Sequence, residues 1–190
     1  MIKSKPYHHP DLRAALIIEG LRQLENAGTD LSLRALAKSI GVSPTAPYRH
    51  FEDRSELMGA LAAEGFHRFT EVLVAASQAP DPLVALRALG LAYLDFAKNQ
   101  QALYRLMFSP YGYSLKSTAC KEAADRSFGA LVGAVTRAHE SGWKPGHSVL
   151  TLAMAYWAVL HGWAVISGDH LTPPGVIETS WVDLLDIYLS

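Results

Sequence analysis

No segment of this chain sustains the alternation of a half-buried β-strand, whereas apolar residues recur three and four positions apart almost from end to end. β-Branched residues do not cluster, and neither Asn-Gly nor Asp-Gly occurs, so strands and tight hairpins have no signal. From Leu12 onward Leu16, Ile17, Leu21 and Leu24 fall on one stripe, with Gly28 as the stop. The pattern confines the chain to an all-α fold.

Punctuation divides the helices. Ser32 is the expected N-cap of a helix through Leu33, Leu36, Ala37 and Ile40, and Gly41 its end. A very short helix is expected from Pro44 to about His50. Asp53 and Glu56 stand at capping-box spacing before a long helix expected over 54–78. In "QAPDPL", Asp81 is the next N-cap and Pro82 the first helical residue. Further helices are expected over 82–98, 100–108, 115–141, 147–167 and 174–189, separated by "SPYGY", "SGWKPG" and "SGDHLTPPG". The organisation is a small N-terminal helical unit followed by a larger helical body.

With 190 residues, 49% of them hydrophobic, the chain can fill a core. Its formal net charge of -1 confines any nucleic-acid contact to a local patch. The lone Cys120 precludes an internal disulfide and suits a reducing cytoplasm, and Met1 to Pro10 is polar with no signal-peptide pattern. Gly146 to Gly168 lacks Asp, Glu, Lys and Arg and approaches membrane-spanning length, but its histidines, hydroxyls and many alanines better fit a helix packed on all sides by protein.

"GVSPTAPYRHF", Gly41 to Phe51, carries two prolines in its expected short helix. Helix, tight turn and short helix form the layout of a helix-turn-helix. With Ser43 as N-cap, Pro44 takes the first position, where no N–H is needed. Pro47 removes only the end-most bond and restrains Ala46, which predicts a tight reading head of one to two turns. Around it stand Arg34, Lys38, Ser43, Thr45, Tyr48, Arg49, His50 and Arg54. Cations and hydroxyls suit phosphates, Arg49 can bridge both acceptors of a guanine, and Thr45 and Ala46 can rest on a thymine methyl. The plainer account is a set of exposed polar residues on a small helical unit.

"LSLRALAKSIGVSPTAPYRHFEDRSELMGAL", Leu31 to Leu61, resembles the DNA-binding segment of the tetracycline-repressor (TetR) family of bacterial transcription regulators. Ala37, the Gly41-Val42-Ser43 turn, Tyr48-x-His50-Phe51, and Arg54 before Glu56-Leu57 carry the resemblance. It implies a homodimer, with residues 1–53 as the helix-turn-helix domain and 54–190 as a helical ligand-binding and dimerisation domain. The family's contacts to double-stranded operator DNA fall on Arg34, Thr45, Ala46, Tyr48, Arg49, His50 and Arg54, and an arm bearing His8-His9 can add to them. Arg54 departs from the family's usual lysine and Pro47 from a leucine or similar residue. "YWAVLHGWA", Tyr156 to Ala164, resembles the Trp-x-x-x-His-Gly signature of a ligand-domain subgroup named for its Trp-His-Gly (WHG) residues.

In the body, Trp157 and His161 lie four apart on one helix face, either as a pocket wall with a polar anchor or as a core tryptophan against a structural histidine. Tyr93, Phe96, Tyr104, Met107, Phe108, Tyr111 and Tyr113 form an aromatic-rich set that can line the same cavity or simply be core. Such a cavity would take a small apolar or aromatic effector. Ala155, Ala158 and Gly162, with Trp181, Leu184, Leu185 and Tyr188, are the candidate dimer interface of the two last helices.

The leading expectation is a ligand-responsive, cytoplasmic DNA-binding regulator, most simply a repressor released by its effector. A helical adaptor of the same fold that has lost DNA binding is a second reading. An all-helical enzyme is a third, and neither His-x-x-x-His nor Cys-x-x-Cys spacing supports it. No cofactor, metal ion or membrane is expected.

Overall fold

The computed structural model describes residues 11–27, 30–110, 117–168 and 181–190, and of Ala27, Trp181 and Leu184 only the backbone. The expected Gly28 cap, the His8-His9 arm, Tyr111, Tyr113 and the start of the last helix at Pro174 lie outside the described residues, as do the side chains of Trp181 and Leu184.

All regular structure among the described residues is helical. It comprises α1 (Leu12–Ala27), α2 (Leu33–Ser39), a 3-10 helix (Ala46–Arg49), α3 (Arg54–Ala76), α4 (Pro82–Asn99), α5 (Gln101–Met107), α6 (Thr118–Glu140), α7 (Val149–Gly168) and α8 (Trp181–Leu189). The caps explain the boundaries. Ser32 Oγ accepts from the Ala35 N–H at 3.0 Å, and α2 ends where Gly41, at φ +75°, lets the Val42 N–H return to the Ala37 carbonyl. Asp53 Oδ1 accepts from the Glu56 N–H at 2.9 Å, while Glu56 reaches back to the Glu52 N–H. Asp81 accepts from the N–H groups of Leu83 and Val84. At the far end of α3, the Arg137 guanidinium donates to the carbonyls of Ser77 and Ala79, both at 2.9 Å.

Packing divides the chain into two compact units, Met1–Phe66 with Ala102–Ala123, and His67–Gln101 with Ala124–Ser190. The division falls inside α3. The first unit buries Leu16 and Leu24 of α1, Leu36 and Ala37 of α2, Phe51 before α3, Leu57, Met58 and Leu61 within it, and Leu106 and Met107 of α5. Met107 and Leu103 reach so close to Gly65 that a Cβ there would lie 2.8–2.9 Å from their side chains.

In the second unit, α4 packs on α7 and α8. Tyr156 is fully buried, and its hydroxyl donates to the Leu86 carbonyl at 3.0 Å. Tyr93 meets His161 and Gln101 meets the Gly168 carbonyl, so α4 and α7 run in the same direction. Gly90 makes the approach possible, because a Cβ there would collide with the Tyr156 hydroxyl. α8 is held by Arg87 to Asp186 (2.7 Å), by Trp143 Nε1 to the Leu189 carbonyl (2.9 Å) and by the Tyr188 hydroxyl to the Leu152 carbonyl (2.8 Å).

Two sequence expectations are corrected. α7 is not packed on all sides, since Leu150 and Met154 are 59% and 45% exposed, and Ala155, Ala158, Val165 and Ile166 share their exposure. Its buried face carries Leu152, Ala153, Tyr156, Leu160 and Ala164, flanked by the half-buried Trp157 and His161. The segment 44–50 is not α-helical either. Ala46 donates to Ser43 and His50 to Pro47, both in the tighter three-residue pattern, and Pro44 sits in the preceding turn.

Gly90→Ala is expected to lower unfolding stability by about 1–3 kcal/mol through overpacking against Tyr156. Urea denaturation checks this, and a wild-type midpoint would mean that α4 and α7 separate without penalty.

Candidate functional site

The reading head is a single 3-10 turn. Its four residues close three-residue hydrogen-bonded rings, so Pro47 interrupts less than it would in an α-helix, and its own ring is buried. Tyr48 is 47% exposed, and Arg34, Lys38, Ser43, Thr45 and Arg49 are also exposed. His50 and Ala46 are half-buried. The Ser43 and Thr45 hydroxyls lie 3.2 Å apart. Together these place cations, two hydroxyls and a phenol on the surface of α2, the turn and the 3-10 helix, a composition suited to phosphate and base-edge contact.

Arg54 behaves differently. Its Nε donates to the Leu31 carbonyl at 2.9 Å and the side chain is half-buried, so it ties the start of α3 to the segment preceding α2. Two residues outside the expected set also position the head. Glu19 of α1 accepts from Ser39 Oγ of α2, and from Arg22 and Gln23 on its own helix. The Arg22 bond, helped by Ser39 and Gln23 and opposed by burial, holds the Glu19 carboxyl down at about 2. Arg13 of α1 lies over the buried Phe51 ring at 5.4 Å.

The residues expected to hold a ligand form two groups. In the second unit, Phe69 meets Tyr93 edge-on at 4.9 Å and Phe96 at 5.0 Å. The Tyr93 hydroxyl lies 3.3 Å from His161 Nδ1, and the His161 ring stacks on Trp157 at 5.2 Å. Burial lowers the pKa of His161, which favours a neutral ring. Next to this set, Ser127 and Thr70 share a hydroxyl–hydroxyl bond of 2.6 Å. Tyr104, Met107 and Phe108 belong to the first unit, where Phe108 contacts Tyr104 and Phe66.

A cleft of about 350 Å³ opens farther along α4 and α7 and is lined by none of those residues. Leu94, Ala97 and Ala164 form its apolar floor, and Asp95, Lys98, Gln101, Trp163 and Ser167 surround it. No pattern in the sequence points to it, because its lining comes together only where the ends of α4 and α7 meet.

Of the candidate dimer residues, Ala155 and Ala158 are exposed, and nothing lies near a Cβ placed on Gly162. Leu185 is buried within the chain, and the half-buried Tyr188 ring stacks on Tyr156 at 5.0 Å. Among the described residues no three His, Cys, Asp or Glu side chains gather as a metal would need. A Glu-x-x-His spacing does occur in α3, at Glu64 and His67, with no third ligand among the described residues. Cys120 is buried and its thiol is pushed up to about 11, which keeps it protonated.

Capped helices presenting a short basic turn, in a chain whose second unit holds a cleft with an apolar floor, define an all-helical protein with a helix-turn-helix. Comparison with known proteins makes this specific. The family model described as the tetracyclin repressor-like C-terminal domain matches residues 86–187, more than half of the chain. The chain therefore belongs to the TetR family of transcriptional regulators.

An uncharacterized HTH-type transcriptional regulator of Haemophilus influenzae is 29% identical over 98 residues, which span 50% of this chain and 48% of that relative. The structure of a protein with unknown function from Rhodococcus sp. RHA1 superposes with a TM-score of 0.84 at 31% identity, covering 98% of this chain and 97% of the other. The TetR family transcriptional regulator PfmR from Thermus thermophilus shares the fold, with a TM-score of 0.68 at 20% identity over 92% of this chain and 96% of its own.

Arg49→Ala is expected to weaken operator binding and relax base discrimination by about 1–3 kcal/mol while leaving thermal stability unchanged. Arg54→Ala is expected to lower the melting temperature as well, and equal stability of the two variants would remove the structural role of Arg54. Glu19 offers a pH test. Its pKa is depressed in the folded state, so its contribution is full above the usual value of 4.5 and disappears as pH falls towards about 2. The urea midpoint of Glu19→Gln should therefore lie below that of the native chain above pH 4.5 and converge with it in acid.

Proposed function

We propose that the protein is a homodimeric, ligand-responsive transcriptional regulator that represses by binding a palindromic operator and is released by a small apolar or aromatic effector. The observation that carries this reading is the exposed Arg34, Thr45, Tyr48 and Arg49 set on a capped helix-turn-helix, in a chain whose body matches the TetR ligand domain. Arg49 and Tyr48 would read base edges, Arg34, Lys38 and the hydroxyls would hold phosphates, and Arg54 would position the head. The place of action is the cytoplasm, with no enzymatic step, and the ligand domain is of the Trp-His-Gly subgroup.

The dimer surface in this reading is the exposed face of α7. Ala155, Ala158 and Gly162 allow close approach, with Met154, Val165 and Ile166 beside them. A long, apolar and uncovered helix face in a water-exposed chain calls for a partner, and a second copy supplies the same face. Two heads would then meet successive major grooves, roughly 34–36 Å apart. Effector binding would favour a conformation of α3 that changes this separation, and the coupling would be reciprocal, with operator DNA weakening effector binding equally.

The test is binding to duplex DNA from upstream of the protein's own gene, titrated with salt in the presence of excess random duplex. The expected result is retention against the competitor and a steep salt dependence. Equal loss to random duplex would favour the adaptor reading. In the same assay Ala158→Glu, which meets open solvent in the single chain, should give a folded monomer by sedimentation velocity with greatly reduced operator affinity. A dimeric variant would move the interface elsewhere.

A further inference from the structure

The cleft between the last turns of α4 and α7 has an unusual electrostatic setting. Neighbouring helices in compact bundles commonly run antiparallel, which places a positive end beside a negative one. α4 and α7 run parallel, as the successive contacts Leu86 to Tyr156, Tyr93 to His161 and Gln101 to Gly168 show. Their carbonyl ends therefore lie side by side at the cleft. Lys98 answers the end of α4 from its last turn, and the end of α7, which carries no basic residue in its last turn, is answered by the neutral Gln101 amide at the Gly168 carbonyl. Asp95 adds a full negative charge on the wall, and neither it nor Lys98 makes an ion pair with a described residue. Asp95 and Lys98 offset each other in formal charge, so the two carbonyl ends, against the one N-terminus of α5 at Gln101, tip the balance to the negative side.

Chemistry on the other wall fits the same kind of guest. Trp163 is half-buried, lines the cleft and has no cation over its ring among the described residues. An indole face attracts cations more strongly than the other aromatic rings, and more so when the contact is partly desolvated. Leu94, Ala97 and Ala164 give an apolar floor, kept low by the two alanines. The cleft also occupies the side of α7 opposite Ala155, Ala158 and Gly162, so a dimer built on those residues leaves it open.

We propose that this cleft binds a small organic cation with a flat apolar body, its ammonium held between Asp95 and the Trp163 indole, and its body on Leu94, Ala97 and Ala164. The class refines the aromatic effector proposed above and rests on that reading only for its consequence at the operator. Binding itself does not depend on DNA.

Calorimetric titration of the full chain with benzyltrimethylammonium, phenylacetate and benzyl alcohol tests this. The expected order is the ammonium first, the neutral alcohol weaker and the carboxylate weakest. Asp95→Asn should weaken the ammonium about fivefold and Trp163→Leu about tenfold. Lys98→Gln should strengthen it, a gain that a misfolded protein cannot produce. Equal affinity for phenylacetate, unchanged affinity in both Asp95→Asn and Trp163→Leu, or no saturable binding of the ammonium would overturn the proposal. Adding the ammonium to the operator complex then separates the two readings. Release of DNA supports both, whereas saturable binding without release keeps the cationic site and removes its effector role.

Discussion

The contact of Gly90 with Tyr156 sets the geometry of the second unit. A side chain at residue 90 would hold α4 and α7 apart, and without it the Tyr156 phenol slides over α4 to reach the Leu86 carbonyl. A buried hydroxyl needs such a partner, because leaving it unpaired costs about 1–3 kcal/mol. Burial also pushes the Tyr156 phenol well above its ordinary pKa, so the group remains a donor. On its other side Tyr156 stacks on Tyr188, whose hydroxyl meets the Leu152 carbonyl and brings α8 down onto α7. One small residue thus allows a register that two tyrosines then fasten. The meeting of the ends of α4 and α7 at the cleft follows from that register.

In the first unit the equivalent task is polar. α1 and α2 are joined by Glu19 and Ser39, and α3 is tied to the chain before α2 by Arg54. These bonds surround an apolar centre of Leu16, Leu36, Phe51 and Leu61. Position and chemistry are divided between different residues: Glu19, Arg13, Pro47 and Arg54 fix the head, while Arg34, Tyr48 and Arg49 remain outward.

Much of the architecture was legible in the sequence, because it depends on local rules. Ser32, Gly41, Asp53 and Asp81 mark helix ends by chemistry that acts over three or four residues, and each cap stands where its type and spacing placed it. Long-range facts were not legible. The acceptor of Arg54 lies 23 residues away in the chain, and nothing in a run of charges reveals that one of them is bonded to a carbonyl. The cleft needs the relative direction of two helices whose contacting residues stand 70 positions apart. Composition gave no signal for the exposed face of α7, because an apolar run does not say which of its faces the chain's other helices cover. For Leu185 and Tyr188, likewise, an apolar stripe does not disclose the contacts that they make within the chain, with α4 and Tyr156.

The 3-10 head has a further consequence. Proline at residues 44 and 47 narrows the backbone states of the turn before anything touches it, so less conformational entropy remains to be lost on contact. A compliant head can bend to follow an imperfect surface and spread the mismatch over several small adjustments. A stiff one cannot, and an ill-fitting surface meets it at full steric and electrostatic cost. The two prolines therefore trade breadth for discrimination at any surface the turn meets.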